Sequence, residues 1–219
     1  MSDTIERLYK FLDPGGLGPY SGYRWPLPTQ AGDGAWTPGD WVTVEGPLDP
    51  CRVGLHACRE ADTTLWIAAE CYALEYRGER MDAPDKVVVR QARLTRRYTA
   101  WDKRAMRLFA ADCAERVLPR YEAAYPGDAR PRVAIETARR FARGAATGDE
   151  LAAAGAAAEA AAKSAAWAAA WAATGAAAKS AAEAAAWAAA WAAAGAAAGA
   201  AECAWQTDRL AWYLTQEAI

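Results

Sequence analysis

The sequence predicts an α+β chain in which a small β-rich N-terminal domain is followed by an Ala/Trp-rich antiparallel helical bundle. Two shifts in composition predict it. Eight of the eleven prolines fall in the first hundred residues, between short apolar runs, and this is the punctuation of strands and tight turns. Beyond them helix formers dominate, and residues 151–204 are almost wholly alanine, the strongest helix former. The expected boundaries are 1–100 for a β-rich domain with one short helix and 101–219 for a helical domain that includes the repeat 151–204.

In the first hundred residues the apolar segments 8–12, 23–26, 41–45, 53–57, 71–77 and 86–98 read as strands. A short helix is expected over 61–69, with Asp62 or Thr63 near its cap. Val87, Val88 and Val89 are apolar together, so that part of the last strand is expected to be covered on both faces. Arg90, Arg93, Arg96 and Arg97 carry the same strand outward.

In the second half, 101–118 is amphipathic, with Met106, Phe109, Cys113 and Val117 at helical spacing. Pro119 is expected to end it. A short helix over 120–125 leads to the turn Pro126-Gly127-Asp128-Ala129-Arg130, and a third helix runs over 131–143. Pro131 suits its first turn and Gly144 its end.

The alanine tract carries a strict period of four nested in a unit of twenty, so that 155–174 and 175–194 are near copies. At about 100° of turn per residue, Trp167 and Trp171 share a helix face, as do Trp187 and Trp191. Twenty residues rotate the second pair about 160° from the first on an unbroken rod. Breaks near Gly175 and Gly195 would instead return both pairs to one core, and helices of roughly 18 residues are the favoured arrangement. These four tryptophans, buried between helices or presented to a partner, carry most of the burial energy available to the tract. Glu159, Lys163, Lys179 and Glu183 interrupt it too closely for a membrane span.

The net charge of −2 conceals a division: residues 84–143 hold 15 Lys and Arg against 7 Asp and Glu. The stripe lacks interleaved aromatics and a reader motif, so nucleic acid is not the expected partner. Five cysteines at irregular spacing suit a reducing compartment, and nothing at the start directs export, so a cytoplasmic protein is expected.

The densest constellation is Cys51-Arg52-Val53-Gly54-Leu55-His56-Ala57-Cys58, which holds the single histidine. Cys51, His56 and Cys58, with Cys71, are types that bind zinc, but no C-x-x-C brackets a knuckle, and neither a metal nor a cofactor is expected. Tyr9-Lys10-Phe11, Trp25-Pro26-Leu27-Pro28, 50–58 and Lys86-Val87-Val88-Val89 resemble an uncharacterised domain of actinobacterial and phage proteins. The order of Gly-Leu-His-Ala-Cys, a short helix and the strand to Glu75-Tyr76-Arg77-Gly78 resembles the strand–helix–strand core of ADP-ribosyltransferases. That resemblance implies His56, Tyr72 and Glu75 as nominal catalytic candidates in a degenerate relative, with His56 where the family has an aromatic.

Residues 108–119, Asp128-Ala129-Arg130-Pro131-Arg132 and Ala134-Ile135-Glu136-Thr137-Ala138-Arg139 resemble the helical immunity proteins of bacterial polymorphic-toxin systems. The resemblance implies a non-enzymatic protein that binds a cognate toxin domain, with Trp167, Trp171, Trp187, Trp191, Arg130 and Arg132 as partner-binding candidates. The alternatives are a degenerate ADP-ribosyltransferase-like domain and a self-associating scaffold. Asp112, Glu115, Arg116, Asp128, Arg130 and Arg132 equally suit an internal salt-bridge network.

Overall fold

The computed structural model describes residues 6–161 and 199–216. Trp167, Trp171, Trp187 and Trp191, and with them the choice between a rod and a hairpin bundle, lie outside the described residues. The chain divides into two compact units, Met1–Lys103 with Ala204–Ile219, and Arg104–Cys203.

The first unit is built on antiparallel pairing. Its strands are β1 (Leu8–Leu12), β2 (Thr29–Gln30), β3 (Trp36–Thr37), β4 (Val42–Thr43), β5 (Leu55–Ala57), β6 (Glu70–Ala83) and β7 (Lys86–Arg97). β2 and β3 form a separate ribbon, and the others make one sheet in the order β1-β6-β7-β4, with β5 also on β7. The spine is the β6–β7 hairpin, which turns over Pro84-Asp85 and slips register between Arg77 and Arg80. Gly78 sits in that slip at φ +74°. A glycine bulge bends a strand and sharpens its twist, so β6 continues past the glycine that the sequence reading takes as its end.

The bend lets one strand serve two partners: Val87, Val88 and Val89 pair with β5, while Gln91 and Ala92 pair with β4. The three valines are fully buried, as their lack of alternation predicts. Beyond β5, Tyr9 and Cys58 exchange two backbone hydrogen bonds of 2.9 Å each. These join β5 to β1 and complete a ring of pairings, β1–β6–β7–β5. Leu8, Leu12, Trp25, Leu55, Leu74 and Leu94 belong to the apolar cluster of this unit.

The strands expected over 41–45 and 53–57 shorten to Val42–Thr43 and Leu55–Ala57, and two further expected elements change type. Residues 23–26 form no strand; Arg24 makes an isolated bridge to Leu17, and the segment is a loop that delivers Trp25 to the core. The helix expected over 61–69 is a 3-10 turn, Glu60–Leu65, with Arg59 rather than Asp62 or Thr63 at its N-cap position and no side-chain cap. Thr63 Oγ1 donates to the Glu60 carbonyl at 2.7 Å, and the Asp62 carboxylate turns back to Arg59 at 2.8 Å. Such local bonds compete with a full α-turn.

The second unit is helical. α1 runs over Lys103–Ala124, straight through Pro119, so the two helices expected on either side of that proline are one. Proline removes an intrahelical hydrogen bond. Here Pro119 is exposed, which lets the released carbonyl turn to water, while its neighbour Leu118 packs with Ala111 and Ile135. α2 (Arg130–Ala142) lies across this contact and ends on Gly144 at φ +75°. Gly144 N–H donates to Phe141 and Ala145 N–H to Arg140, the paired bonds of a glycine C-cap.

Charge pins the two helices together. Arg139 of α2 donates to Asp112 at 2.7 Å and Glu115 at 2.6 Å, and Arg132 forks Glu122 with two bonds of 2.7 Å. The next helix begins at residue 148 on a reciprocal cap: Glu150 accepts from Thr147 N–H at 2.7 Å, and Thr147 Oγ1 accepts from Glu150 N–H at 3.2 Å.

Two substitutions test these supports. Gly54 stands at φ +140°, and a Cβ there would run into Val88 Cγ1. Gly54→Ala is therefore expected to cost about 2–4 kcal/mol in chemical unfolding, well beyond an exposed glycine such as Gly32, which has open space around it. Arg139→Met is expected to cost about 1–3 kcal/mol, because three charge-assisted bonds between α1 and α2 go with it.

Candidate functional site

The Tyr9–Cys58 bridge ends the pairing of β1 with β5 as soon as it begins. In a continued ladder His56 would stand opposite Phe11, but the His56 carbonyl instead accepts from Lys10 Nζ at 2.7 Å. On β1, Lys10 has the same parity as Leu8 and Leu12, and so points to their face of the sheet. Its ammonium is 5.2 Å from the Trp25 ring. No ion pair of Lys10 is present among the described residues, and burial lowers its pKa to about 8.

Where the strands part, a cleft of about 620 Å³ opens within the first unit. Lys10, Ser21, Cys51, His56, Asp85 and Lys86 supply its polar wall, and Tyr9, Phe11, Tyr20, Leu65, Trp66 and Ile67 its aromatic and apolar one. Cys51 takes φ +70°, the only positive value of a non-glycine residue among the described residues. This turn aims its N–H at His56 Nε2, 3.1 Å away. The accepting nitrogen cannot carry the hydrogen, which assigns it to Nδ1. Burial, then the charges of Lys10 and Lys86, push the imidazole toward its neutral form.

Lys86 Nζ lies 3.1 Å from Cys51 Sγ, 3.6 Å from Asp85 and 5.0 Å from the centre of the Trp66 ring. The hydrogen bond to Cys51, followed by the charge of Asp85 after a smaller opposing effect of burial, raises its pKa. The Trp66 indole is itself fixed, donating to the Asp85 carbonyl at 2.7 Å, with the Tyr20 ring perpendicular to it at 6.0 Å between centroids. Cys58 is buried, its thiol pushed up to about 12 chiefly by that burial, so it is a packing residue and not a nucleophile. The cleft thus offers cations and hydrogen-bond donors against aromatic walls, with Asp85 as its single carboxylate.

The sequence candidates fall in different places. His56 lines the cleft, but Tyr72 is in the core, where its hydroxyl donates to Glu70 at 2.8 Å. Glu75 is ion-paired with Arg93 at 2.7 Å and lines a separate depression. The three therefore share no cavity. Cys51, Cys58 and Cys71 are free thiols, and no group of three or more His, Cys, Asp or Glu among the described residues could hold a metal ion. Lys10 and Lys86 were not among the candidates. Lys10 had a signal: it interrupts an otherwise apolar strand at an inward-facing position.

In the helical unit, Arg130 forks Asp128 at 2.8 and 2.6 Å, and Tyr121 donates to the same carboxylate at 2.7 Å. These bonds, Arg130 first, hold Asp128 well below the usual carboxylate range. Both Arg130 and Arg132 remain about half exposed, so each presents a guanidinium held in one orientation.

Residues 96–212 match the family described as Imm-5 like putative immunity protein. The match spans just over half of the chain. The chain belongs to this family. The immunity-protein segment takes in the end of β7, α1 and α2, and the helical residues 199–212, while the cleft lies outside it. No curated protein and no solved structure matches the chain. Among the described residues, no helix is long and apolar enough to cross a membrane.

The Lys10 ammonium gives this site a pH signature. Its folded pKa is about 8 against 10.5, so between those values the unfolded chain holds more protons and stability rises with pH. Lys10→Met removes that rise. Unfolding free energies at pH 8 and 9 are expected to show wild type gaining about 1 kcal/mol on the variant. Ionisation of Cys58 opposes the trend in both proteins and cancels in the comparison. An unchanged gap would mean that the ammonium titrates as in water.

Proposed function

We propose that the protein is an immunity-type inhibitor that acts without catalysis, by binding a bacterial toxin domain in the cytoplasm. Membership of the immunity-protein family, over 96–212, is the observation that carries this reading. The physical chemistry of the helical unit supports it. Arg130 and Arg132 hold their geometry before any partner arrives, so binding them costs little side-chain entropy. Trp167, Trp171, Trp187 and Trp191 are assigned to the same contact, since tryptophan and arginine dominate binding energy at interfaces. The five free cysteines suit a reducing compartment.

Co-expression of the full chain with each candidate toxin domain of the source genome tests the reading. Growth should be restored, and a stoichiometric complex should survive size-exclusion chromatography. Replacing the four tryptophans by alanine should weaken that complex by about a hundredfold or more, and Arg130→Ala with Arg132→Ala by about tenfold. Toxicity that persists with both proteins soluble would exclude inhibition of that toxin. Protection without a complex would point to catalysis instead.

A further inference from the structure

The cleft of the first unit carries a separate inference. Two of the three charged groups on its wall are cations, the ammoniums of Lys10 and Lys86, and the neutral His56 beside them carries its hydrogen on Nδ1; the hydroxyls of Tyr9, Tyr20 and Ser21 and the carboxylate of Asp85 complete the polar lining. Asp85 is already engaged, 3.6 Å from Lys86 and half exposed. Lys10 is different, because its ammonium is drawn inward from a half-buried strand position and bonds the His56 carbonyl rather than a counter-charge. A buried ammonium without an anion is destabilising unless something supplies one.

The apolar wall limits what that anion is. The Trp66 ring is held through its own N–H, with the Tyr20 ring perpendicular to it. Tyr20, Leu65 and Ile67 are exposed at 86, 62 and 38 %, three of the eight large apolar side chains most open to solvent among the described residues. A hydrated inorganic ion would leave these surfaces wet. A cavity of about 620 Å³ is within the range that encloses a small organic molecule.

We propose that this cleft binds a small planar organic anion, an aromatic ring bearing a carboxylate or phosphate, with Lys10 and Lys86 holding the charge and Trp66 and Tyr20 covering the ring. The site goes beyond toxin binding, since it lies outside the immunity-family segment and serves a ligand of another class. Cys51 reports on it from the wall: the thiol is exposed, and the exposed thiol of Cys203 supplies a reference in the same chain.

The test uses the full-length protein and two ligand arms, AMP for the phosphate and indole-3-acetate for the carboxylate. Adenosine, indole and inorganic phosphate are the controls. Calorimetric titration reads affinity, and peptide mass mapping reads the rate of iodoacetamide alkylation at Cys51 relative to Cys203. At least one arm should bind saturably at one site with Kd below about 1 mM. Its uncharged ring should bind at least about tenfold more weakly, and the bound anion should slow Cys51 about fivefold or more without slowing Cys203. Lys86→Met and Lys10→Met should each cost about tenfold in affinity, and Cys51 protection in the wild type stands apart from how either variant folds. Binding by AMP alone assigns a phosphate site, and by indole-3-acetate alone a carboxylate site. No saturable binding in either arm, equal binding by the neutral ring, or equal binding by phosphate alone would each overturn the proposal. None of these results depends on whether a toxin is bound.

Discussion

The backbone exchange between Tyr9 and Cys58 is the constraint on which the first unit depends. Without it β5 would hang from β7 alone, and β1 would present a free edge. With it, pairing runs in a circuit through β1, β6, β7 and β5. A circuit of so few strands demands sharp curvature, and the two glycines that meet the demand are Gly78 in the β6 bulge and Gly54, which admits Val88 at close range. The same curvature makes β1 and β5 diverge after one paired residue. The cleft is the consequence of closure, because where the ladder stops the His56 carbonyl meets the Lys10 side chain instead of a backbone partner and the strands part.

Much of this was legible, and the parts that were not share a cause. The strand 8–12 and the run of three buried valines read directly, because short-range apolar patterning reflects how many faces are covered. The α2 helix lies within a residue of its expected span, fixed by Pro131 and Gly144, and the residues set apart as an internal salt-bridge network include the Arg130–Asp128 pair. What misled was punctuation. Gly78 and Pro119 are stop signals in isolation, yet both sit inside continuous elements, the first as a bulge and the second on a solvent face. Tertiary context decides between these readings, and a single sequence does not carry it. The Thr147-x-x-Glu150 cap was missed among the expected elements, although its spacing is a local signal that needs no tertiary context. The cleft itself was out of reach, since it brings together residues 10, 51, 56, 66 and 86 through a closure that no local pattern announces.

The two units hold themselves together by different means. The sheet relies on backbone pairing around a dense apolar cluster, whereas α1 and α2 share the small cluster of Ala111, Leu118 and Ile135 and bind each other through Arg139 and Arg132. Partly exposed ion pairs stabilise modestly, but they fix orientation. A binding surface built on such helices keeps its charges placed while remaining open to a partner. That arrangement suits the recognition role proposed above, and the immunity-family segment contains both helices in full.

Lys10 shows where stability and function part. At an inward-facing position between Leu8 and Leu12, selection for stability alone favours an apolar side chain that fills the same volume. The ammonium lowers stability at neutral pH, since the unfolded chain solvates it better. One hydrogen bond to the His56 carbonyl offsets part of this, and the Trp25 ring offsets a little more. The remainder has no compensation among the described contacts of that side chain. The anion proposed for the cleft would supply it, and binding energy gained there would be stability gained by the whole closed sheet, because only the folded circuit assembles the site.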